Sequence, residues 1–558
     1  MPRFTARSRR VAASALLAST VAAVAALWPV GAAQDAPPRR PTLLVIVVVD
    51  QMRAEYLTRY ASLWRGGFKR LLDEGAFYDQ TYYPYLNTVT CTGHATIGTG
   101  AWPTTHGIIL NQWYDRDVGD VRTCTADRAT TTFTYGATTG GDGHSAAKLK
   151  VPTLGERVRE RWQPSRVVTM SLKPRSAIMM AGQAATAVTW LGGSGWQTSS
   201  AYGRPRPEVA RFLAAQPYTN DRAAVWERLH PATSYTGADD GIGERPATGW
   251  TSLFPHPLAG TGKGRFKDLW EESPYSDTYL GAMAAAAVRD FELGQRDVTD
   301  VLGVSFSATD LVGHSFGPDS HEVQDVLARL DATLGRLLDV LDTTVGRDRY
   351  VLGFSADHGV ATVPEAARAA GASAGRVPLG AVRAAAEAAL SGLGVGPHVA
   401  RAEYTQVYLS PGAAAKATSA TMAPALAALR AMPGIATAVW NGDLGGRNDS
   451  VPPELLAAIR AGHVPGRSGD LTIVPRPNWI FVVGNRPDGG DGTTHGSPHV
   501  YDQHVPLVFL GAPFQPGRYG TRATPADLAP TLAATVGVAM PGVEGRALTD
   551  ALRRAPAR

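Results

Sequence analysis

Three aspartates and three histidines, far apart in the chain but each placed beside an apolar run, are the residues best equipped for chemistry. Asp50 follows Leu43–Val49, Asp310 and His314 follow Val301–Phe306, Asp357 and His358 follow Tyr350–Phe354, and His495 precedes Val505–Leu510. Carboxylate oxygen and imidazole nitrogen are donors that zinc accepts, and six of them make two sets of three with room left for a nucleophile and substrate oxygens. On a helical turn Asp310 and His314 would converge from positions four apart. The adjacent Asp357 and His358 need a tight loop after their strand instead. Each pair alone also fits an ordinary cap or turn; the distributed set is what points to a two-metal centre.

The segment Thr88-Val89-Thr90-Cys91-Thr92-Gly93-His94 offers nucleophiles. A threonine hydroxyl attacks poorly unless a bound cation stabilises its alkoxide, which makes Thr90 the choice beside such a centre. A phosphorus electrophile would also need its outer oxygens neutralised. Lys173 and Arg175, flanking Pro174 after the strand-like Val167–Met170, supply a point charge and a hydrogen-bond fork, and an extended backbone would aim both at one cavity. Asn111, after His106-Gly107-Ile108-Ile109-Leu110, adds an amide donor. His94 and His106 are read as residues that orient loops or cap elements.

Stepping from these residues to what must carry them, Leu43–Val49 is a continuous β-branched run, as in a strand buried on both faces. The pattern of strand then carboxylate recurs at Asp310 and Asp357. Between those two sites Val323, Val326, Leu327, Leu330, Leu334, Leu337, Leu338 and Leu341 repeat at helical spacing, as in a crossover helix on a sheet. The fold class is therefore α/β, with a mostly parallel central sheet, helices on both faces and site residues at the carboxyl ends of strands. Residues 125–150, rich in Gly, Thr and Ser, read as a surface loop. Cap insertions are expected near 191–300, including Trp190–Tyr202, and near 380–480.

The chain has 558 residues and a formal charge of +5. Arg3, Arg7, Arg9 and Arg10, then an apolar run from Val11 to about Val30, then Gly31-Ala32-Ala33, follow the order of an export signal, so residues 1–33 are set apart from a catalytic body spanning 34–558. Removing four arginines and no acids leaves 5 − 4 = +1, which argues against a dedicated nucleic-acid partner. No later stretch is a convincing membrane span, and the expected location is periplasmic or secreted. An oxidising compartment would let Cys91 and Cys124 form a disulfide; two buried thiols are the alternative.

In this order the motifs resemble the alkaline phosphatase superfamily, in its secreted bacterial branch with a threonine nucleophile and an Asn-Lys-Arg phosphate clamp. The residues concerned are Val47-Val48-Val49-Asp50-Gln51-Met52-Arg53, Thr90-Cys91-Thr92-Gly93-His94-Ala95, His106-Gly107-Ile108 through Asn111-Gln112-Trp113, Lys173-x-Arg175, Asp310-x-x-x-His314, Ser355-Ala356-Asp357-His358-Gly359 and Thr494-His495-Gly496-Ser497-Pro498. The resemblance implies an alkaline phosphatase-like fold and two zinc ions. One would be held by Asp310, His314 and His495, the other by Asp50, Asp357 and His358, with Thr90 completing the second. It further implies small phosphate monoesters as substrates, a phosphothreonine intermediate on Thr90, overall retention at phosphorus and a monomeric enzyme. Asn111, Lys173 and Arg175 would bind the nonbridging oxygens. A further structural calcium or magnesium ion is left open. The alternative is a phosphodiesterase or nucleotide pyrophosphatase with the same core. A sulfatase is disfavoured because Cys91-Thr92-Gly93-His94-Ala95 departs from Cys-x-Pro-x-Arg.

Overall fold

A computed structural model describes residues 40–137, 140–259, 265–446, 449–486 and 488–553. The export signal expected over 1–33 lies outside them. Leu43–Val49 forms the strand its composition requires, buried along its whole length. Leu43, Val45, Val47 and Val49 enter the core on one face of the sheet, and Leu44, Ile46 and Val48 enter the core on the other. That alternation is what a strand covered on both sides must show.

The sheet has 11 strands. Across it run Gly517–Tyr519, Ala76–Tyr78, Leu507–Gly511, Tyr350–Ser355, Leu43–Val49, Asp300–Phe306, Val167–Ser171, Ala187–Gly192, Gly195–Ser199, Ala126–Thr134 and Gly140–His144. Pairing from Tyr350–Ser355 through Ala187–Gly192 is parallel, and antiparallel pairs flank this block on both sides. The helix His321–Thr344 presents the leucine and valine stripe read from the sequence to one face. Residues of Leu154–Arg161 and Leu528–Thr535 cover the other.

Two stretches sit differently from the sequence reading. Trp190–Tyr202, expected in an insertion, contributes the hairpin of Ala187–Gly192 and Gly195–Ser199 to the main sheet. Buried Trp190 and Trp196 supply apolar area that a turn-rich composition had obscured. Residues 125–150, read as a loop, carry the edge hairpin Ala126–Thr134 with Gly140–His144. Its mixed exposure explains why no alternating pattern marks it. Farther along, Val399–Glu403, Gln406–Leu409, Ile435–Trp440 and Leu471–Pro475 form a separate four-stranded sheet. It packs with Leu379–Ala389 and Ser419–Arg430 around its own apolar cluster.

The short helix Gly67–Glu74 has no side-chain cap of its own. Asp331, in the middle of His321–Thr344, accepts from the amides of Arg65 at 2.6 Å, Gly66 at 2.6 Å and Phe68 at 2.7 Å. A Cβ on Gly67 would lie 2.3 Å from Leu334 Cβ, so the two helices meet too closely for a side chain there. Asp331→Ala leaves the buried Phe68 amide and the part-buried Arg65 and Gly66 amides without this acceptor and should lower the unfolding free energy by about 2–3 kcal/mol. Denaturant unfolding reads this directly; an unchanged midpoint would contradict the capping role.

Candidate metal centre and active site

Four adjacent parallel strands deliver the site. Tyr350–Ser355 ends two residues before Asp357, Leu43–Val49 ends at Asp50, Asp300–Phe306 leads into the helix Ala308–Phe316 bearing Asp310 and His314, and Val167–Ser171 leads to Lys173. Parallel pairing aligns Val49 with Phe306 and Val48 with Ser355, so the residues that follow emerge together at one edge. His495 arrives from a loop, where its Nδ1 meets Thr88 O at 2.9 Å.

The three histidines share one arrangement. His358 Nδ1 meets Gly359 O at 2.9 Å, His314 Nδ1 meets Thr493 O at 2.8 Å, and His495 Nδ1 meets Thr88 O. A carbonyl can only accept, so each Nδ1 carries a proton, and in the neutral ring each Nε2 presents a lone pair. These lone pairs face carboxylates. His358 Nε2 lies 3.4 Å from Asp50 Oδ1 and 3.5 Å from Asp357 Oδ2. His314 Nε2 and His495 Nε2 lie 3.3 Å and 3.5 Å from Asp310 Oδ1. Among the described residues, buried Asp50 Oδ1 and Asp357 Oδ2 have no hydrogen-bond partner.

Acceptors packed against acceptors in a dry interior call for cations. Ligand atoms of Asp50, Asp357 and His358 lie within 4.8 Å of one another, as do those of Asp310, His358 and His495. The residues therefore fit two divalent ions. His358 belongs to both clusters because its ring stacks on that of His495, with centroids 3.5 Å apart. His314 stands outside the second cluster, beside Asp310. Burial pushes His358 down to about 3, keeping it in the neutral form a metal requires. Burial also lowers His495. Burial and the charges of Asp310 and Asp357 hold Asp50 well above the usual carboxylate range.

Thr90 opens the helix Thr90–Thr99, which is buried throughout. Its Oγ1 lies 3.5 Å from His358 Nε2, at the end of the helix where unpaired amides favour negative charge. His94, one turn on, bonds Thr90 O through Nδ1 at 2.8 Å and Ser305 Oγ through Nε2 at 2.8 Å. The same Nδ1 lies 3.2 Å from Asp357 Oδ2, but its proton is directed to the carbonyl. Cys91 and Cys124 form a disulfide. Both half-cystines grip Asn111: the Cys91 amide donates to Asn111 Oδ1 at 2.8 Å, and the Cys124 amide to Asn111 O at 2.9 Å. The asparagine's NH2 group is thereby oriented by a covalently closed loop.

Lys173 Nζ bonds two carboxylates that the sequence could not place beside it, Asp50 Oδ2 at 2.6 Å and also Asp310 Oδ2. A buried ammonium is drawn to the two densest negative charges within reach. Arg175 is not on the extended backbone expected from the sequence, because Pro174 begins the helix Pro174–Ala181 and places Arg175 in its first turn. Among the described residues its buried Nε has no hydrogen-bond partner, which leaves that donor available to an anion.

The sequence profile described as type I phosphodiesterase / nucleotide pyrophosphatase matches residues 44–500. The chain belongs to this family, within the alkaline phosphatase superfamily. Alkaline phosphatase PhoV of Synechococcus elongatus is 33% identical over 531 residues, covering 92% of this chain and 93% of that protein. Alkaline phosphatase PafA of Elizabethkingia meningoseptica is 31% identical over 534 residues, covering 92% and 95%. The crystal structure of wild-type PafA superimposes with a TM-score of 0.85 at 30% identity, over 93% of this chain and 100% of that one. Murine ectonucleotide pyrophosphatase / phosphodiesterase 5, at 13% identity and a TM-score of 0.54, shares the fold alone.

Within this superfamily member, several residues that hold the site carry no sequence signal of their own. Asp277, from the helix Pro274–Asp290, accepts from the Ser307 amide at 3.0 Å and the Ala308 amide at 3.3 Å, capping the helix that bears Asp310 and His314. Burial raises Asp277 to about 7. Gln51 bonds two of the aspartates, as taken up below. Gly93 is a glycine inside a helix because a Cβ there would lie 2.2 Å from Asp357 O and 2.7 Å from Asp357 Cα. Gly93→Ala must push the Thr90 helix off the Asp357 loop. A displacement on the order of 1 Å costs about 100-fold in rate, and metal retention should fall with it. Hydrolysis rates and metal content of the purified variant check this; wild-type values for both would contradict the close-approach argument.

Proposed function

We propose that this protein is a metal-dependent alkaline phosphatase that hydrolyses small phosphate monoesters through a phosphothreonine on Thr90. The observation that carries the reading is the position of Thr90, at a buried helix N-terminus with its hydroxyl 3.5 Å from His358 Nε2, the nitrogen that faces Asp50 and Asp357. The family match and the two Asp/His clusters support a metal-assisted hydrolase of phosphate esters in the alkaline phosphatase superfamily. The relatives named as alkaline phosphatases favour monoesters.

Asp50, Asp357 and His358 would hold one cation, and Asp310, His314 and His495 a second; this nitrogen and oxygen donor set suits zinc. Bound there, the two ions would neutralise charge on the attacking and departing oxygens. The remaining work falls to the chain itself. Thr90 Oγ1 gives up its proton to solvent and forms the new bond to phosphorus, while the ester oxygen departs with its electron pair and takes a proton from water. The opened helix end and the oriented Asn111 amide donate toward the nonbridging oxygens. Arg175 supplies a rigid fork for the same oxygens. Lys173, lodged between Asp50 and Asp310, offsets carboxylate charge at the floor of the site. Water then displaces Thr90 from phosphorus, and two in-line displacements give net retention.

A phosphodiesterase or nucleotide pyrophosphatase is the second reading, favoured by the description of the family profile itself. A monoester carries more nonbridging charge than a diester, so Arg175 beside Lys173 weighs toward the monoester. Export to the periplasm or medium belongs to this proposal through residues 1–33. Among the described residues no helix is long and apolar enough to cross a membrane.

Matched monoesters and diesters assayed with wild type, Thr90→Ala and Arg175→Ala, with metal content measured in parallel, test the proposal. Thr90→Ala should lose about a thousand-fold or more in monoester turnover at unchanged metal content. Arg175→Ala should lose about 100-fold on monoesters and much less on diesters. Equal turnover by Thr90→Ala would remove the nucleophile; faster diester hydrolysis by wild type would move the enzyme to the second reading.

A further inference from the structure

Gln51 adjoins one aspartate of the centre and hydrogen-bonds the other two. It follows Asp50 in the chain, its backbone N–H donates to Asp357 Oδ1 at 3.1 Å, and its side-chain Nε2 donates to Asp310 Oδ1 at 2.9 Å. The residue is 1% exposed. Its φ is 68°, a left-handed conformation that costs a residue with a Cβ about 1–2 kcal/mol. Glycine would adopt this turn without that cost. A glutamine held there must contribute through its side chain what glycine lacks, and strain of this kind concentrates at functional sites.

The surrounding backbone is shaped to admit that side chain. A Cβ on Gly313 would lie 2.0 Å from Gln51 Oε1, so the helix carrying Asp310 and His314 leaves a slot for the amide. The oxygen that receives the Gln51 amide, Asp310 Oδ1, is also the one faced by His314 Nε2 and His495 Nε2. With Lys173 holding Oδ2, the Gln51 amide fixes Oδ1 and so the rotation of the Asp310 carboxylate relative to the two imidazoles. On the other side of the same residue, the backbone N–H fixes Asp357 Oδ1 and leaves Asp357 Oδ2 toward His358.

We propose that Gln51 is a positioning residue that sets the Asp310–His314–His495 ligands in register with the Asp50–Asp357–His358 ligands. The amide serves the first set and the backbone N–H the second. This rests on the reading of these residues as a two-metal centre. Removing the amide alone should loosen one set and leave the other in place.

Gln51→Gly keeps the backbone donor, relieves the strained φ and deletes the amide. Gly313→Ala reaches the same end independently, because its methyl group displaces Gln51 Oε1 while suiting a helix. The test is metal content of the wild-type and variant holoenzymes after dialysis against graded chelator, with thermal unfolding of each metal-stripped protein. Expected for both variants is loss of one metal equivalent at roughly tenfold lower chelator concentration, the second equivalent being released as in wild type. The stripped Gln51→Gly protein should unfold at or above the wild-type temperature. Release of both metals at wild-type chelator concentrations would overturn the positioning role. So would simultaneous early loss of both metals with a lowered unfolding temperature, which marks a general packing defect. A wild-type protein that holds no metal would instead overturn the metal-centre reading itself, and shows as such before any variant is compared.

Discussion

The site is organised by a single electrostatic constraint: the sheet gathers three aspartates and three histidines at one edge, with Asp50, Asp357 and His358 fully buried and His314 only partly so. Left uncompensated, such a cluster would oppose folding, because buried like charges and unpaired acceptors each cost several kcal/mol. Lys173 supplies one positive charge, bridging Asp50 and Asp310. It does not satisfy Asp50 Oδ1 or Asp357 Oδ2. The same constraint that threatens the fold thus defines where cations belong, and it places Thr90 beside one of those positions.

Much of this was legible in the sequence because parallel strands are written plainly. Leu43–Val49 has no polar residue to confuse its reading, and Asp50 follows it directly. The helical stripe from Val323 to Leu341 fixed the crossover between Asp310 and Asp357. What could not be read depends on distances between elements. Nothing in the residue type of Gln51 announces a positive φ, since glutamine is not a residue that favours it. The sequence also cannot show that Asp50 and Asp310 stand within hydrogen-bond reach of Lys173. Arg175 read as extended because a proline before a helix and a proline in a strand look alike until the following turn forms. The hairpin through Trp190 and Trp196 was hidden by the glycines and serines between its strands.

The groups that hold the ligands differ in kind from the ligands. His358, His314 and His495 are each oriented by a backbone carbonyl, a contact available to any sequence that brings the loop there. Asp277 and Asp331 act across space, capping helices to which they do not belong. Gly93 and Gly313 act by what they lack, letting a helix approach the Asp357 loop and an amide enter beside Asp310. Sequence motifs record the donor atoms well and this supporting geometry poorly, because it is spread over elements hundreds of residues apart.

If the acceptors of this centre surround two cations, anomalous diffraction at the zinc edge from crystals of the metal-replete protein will show them. Two peaks are expected, one in contact with Asp50, Asp357 and His358 Nε2, the other with Asp310, His314 Nε2 and His495 Nε2. A single peak, or a metal-replete crystal with no peak among these six residues, would contradict the two-cation reading.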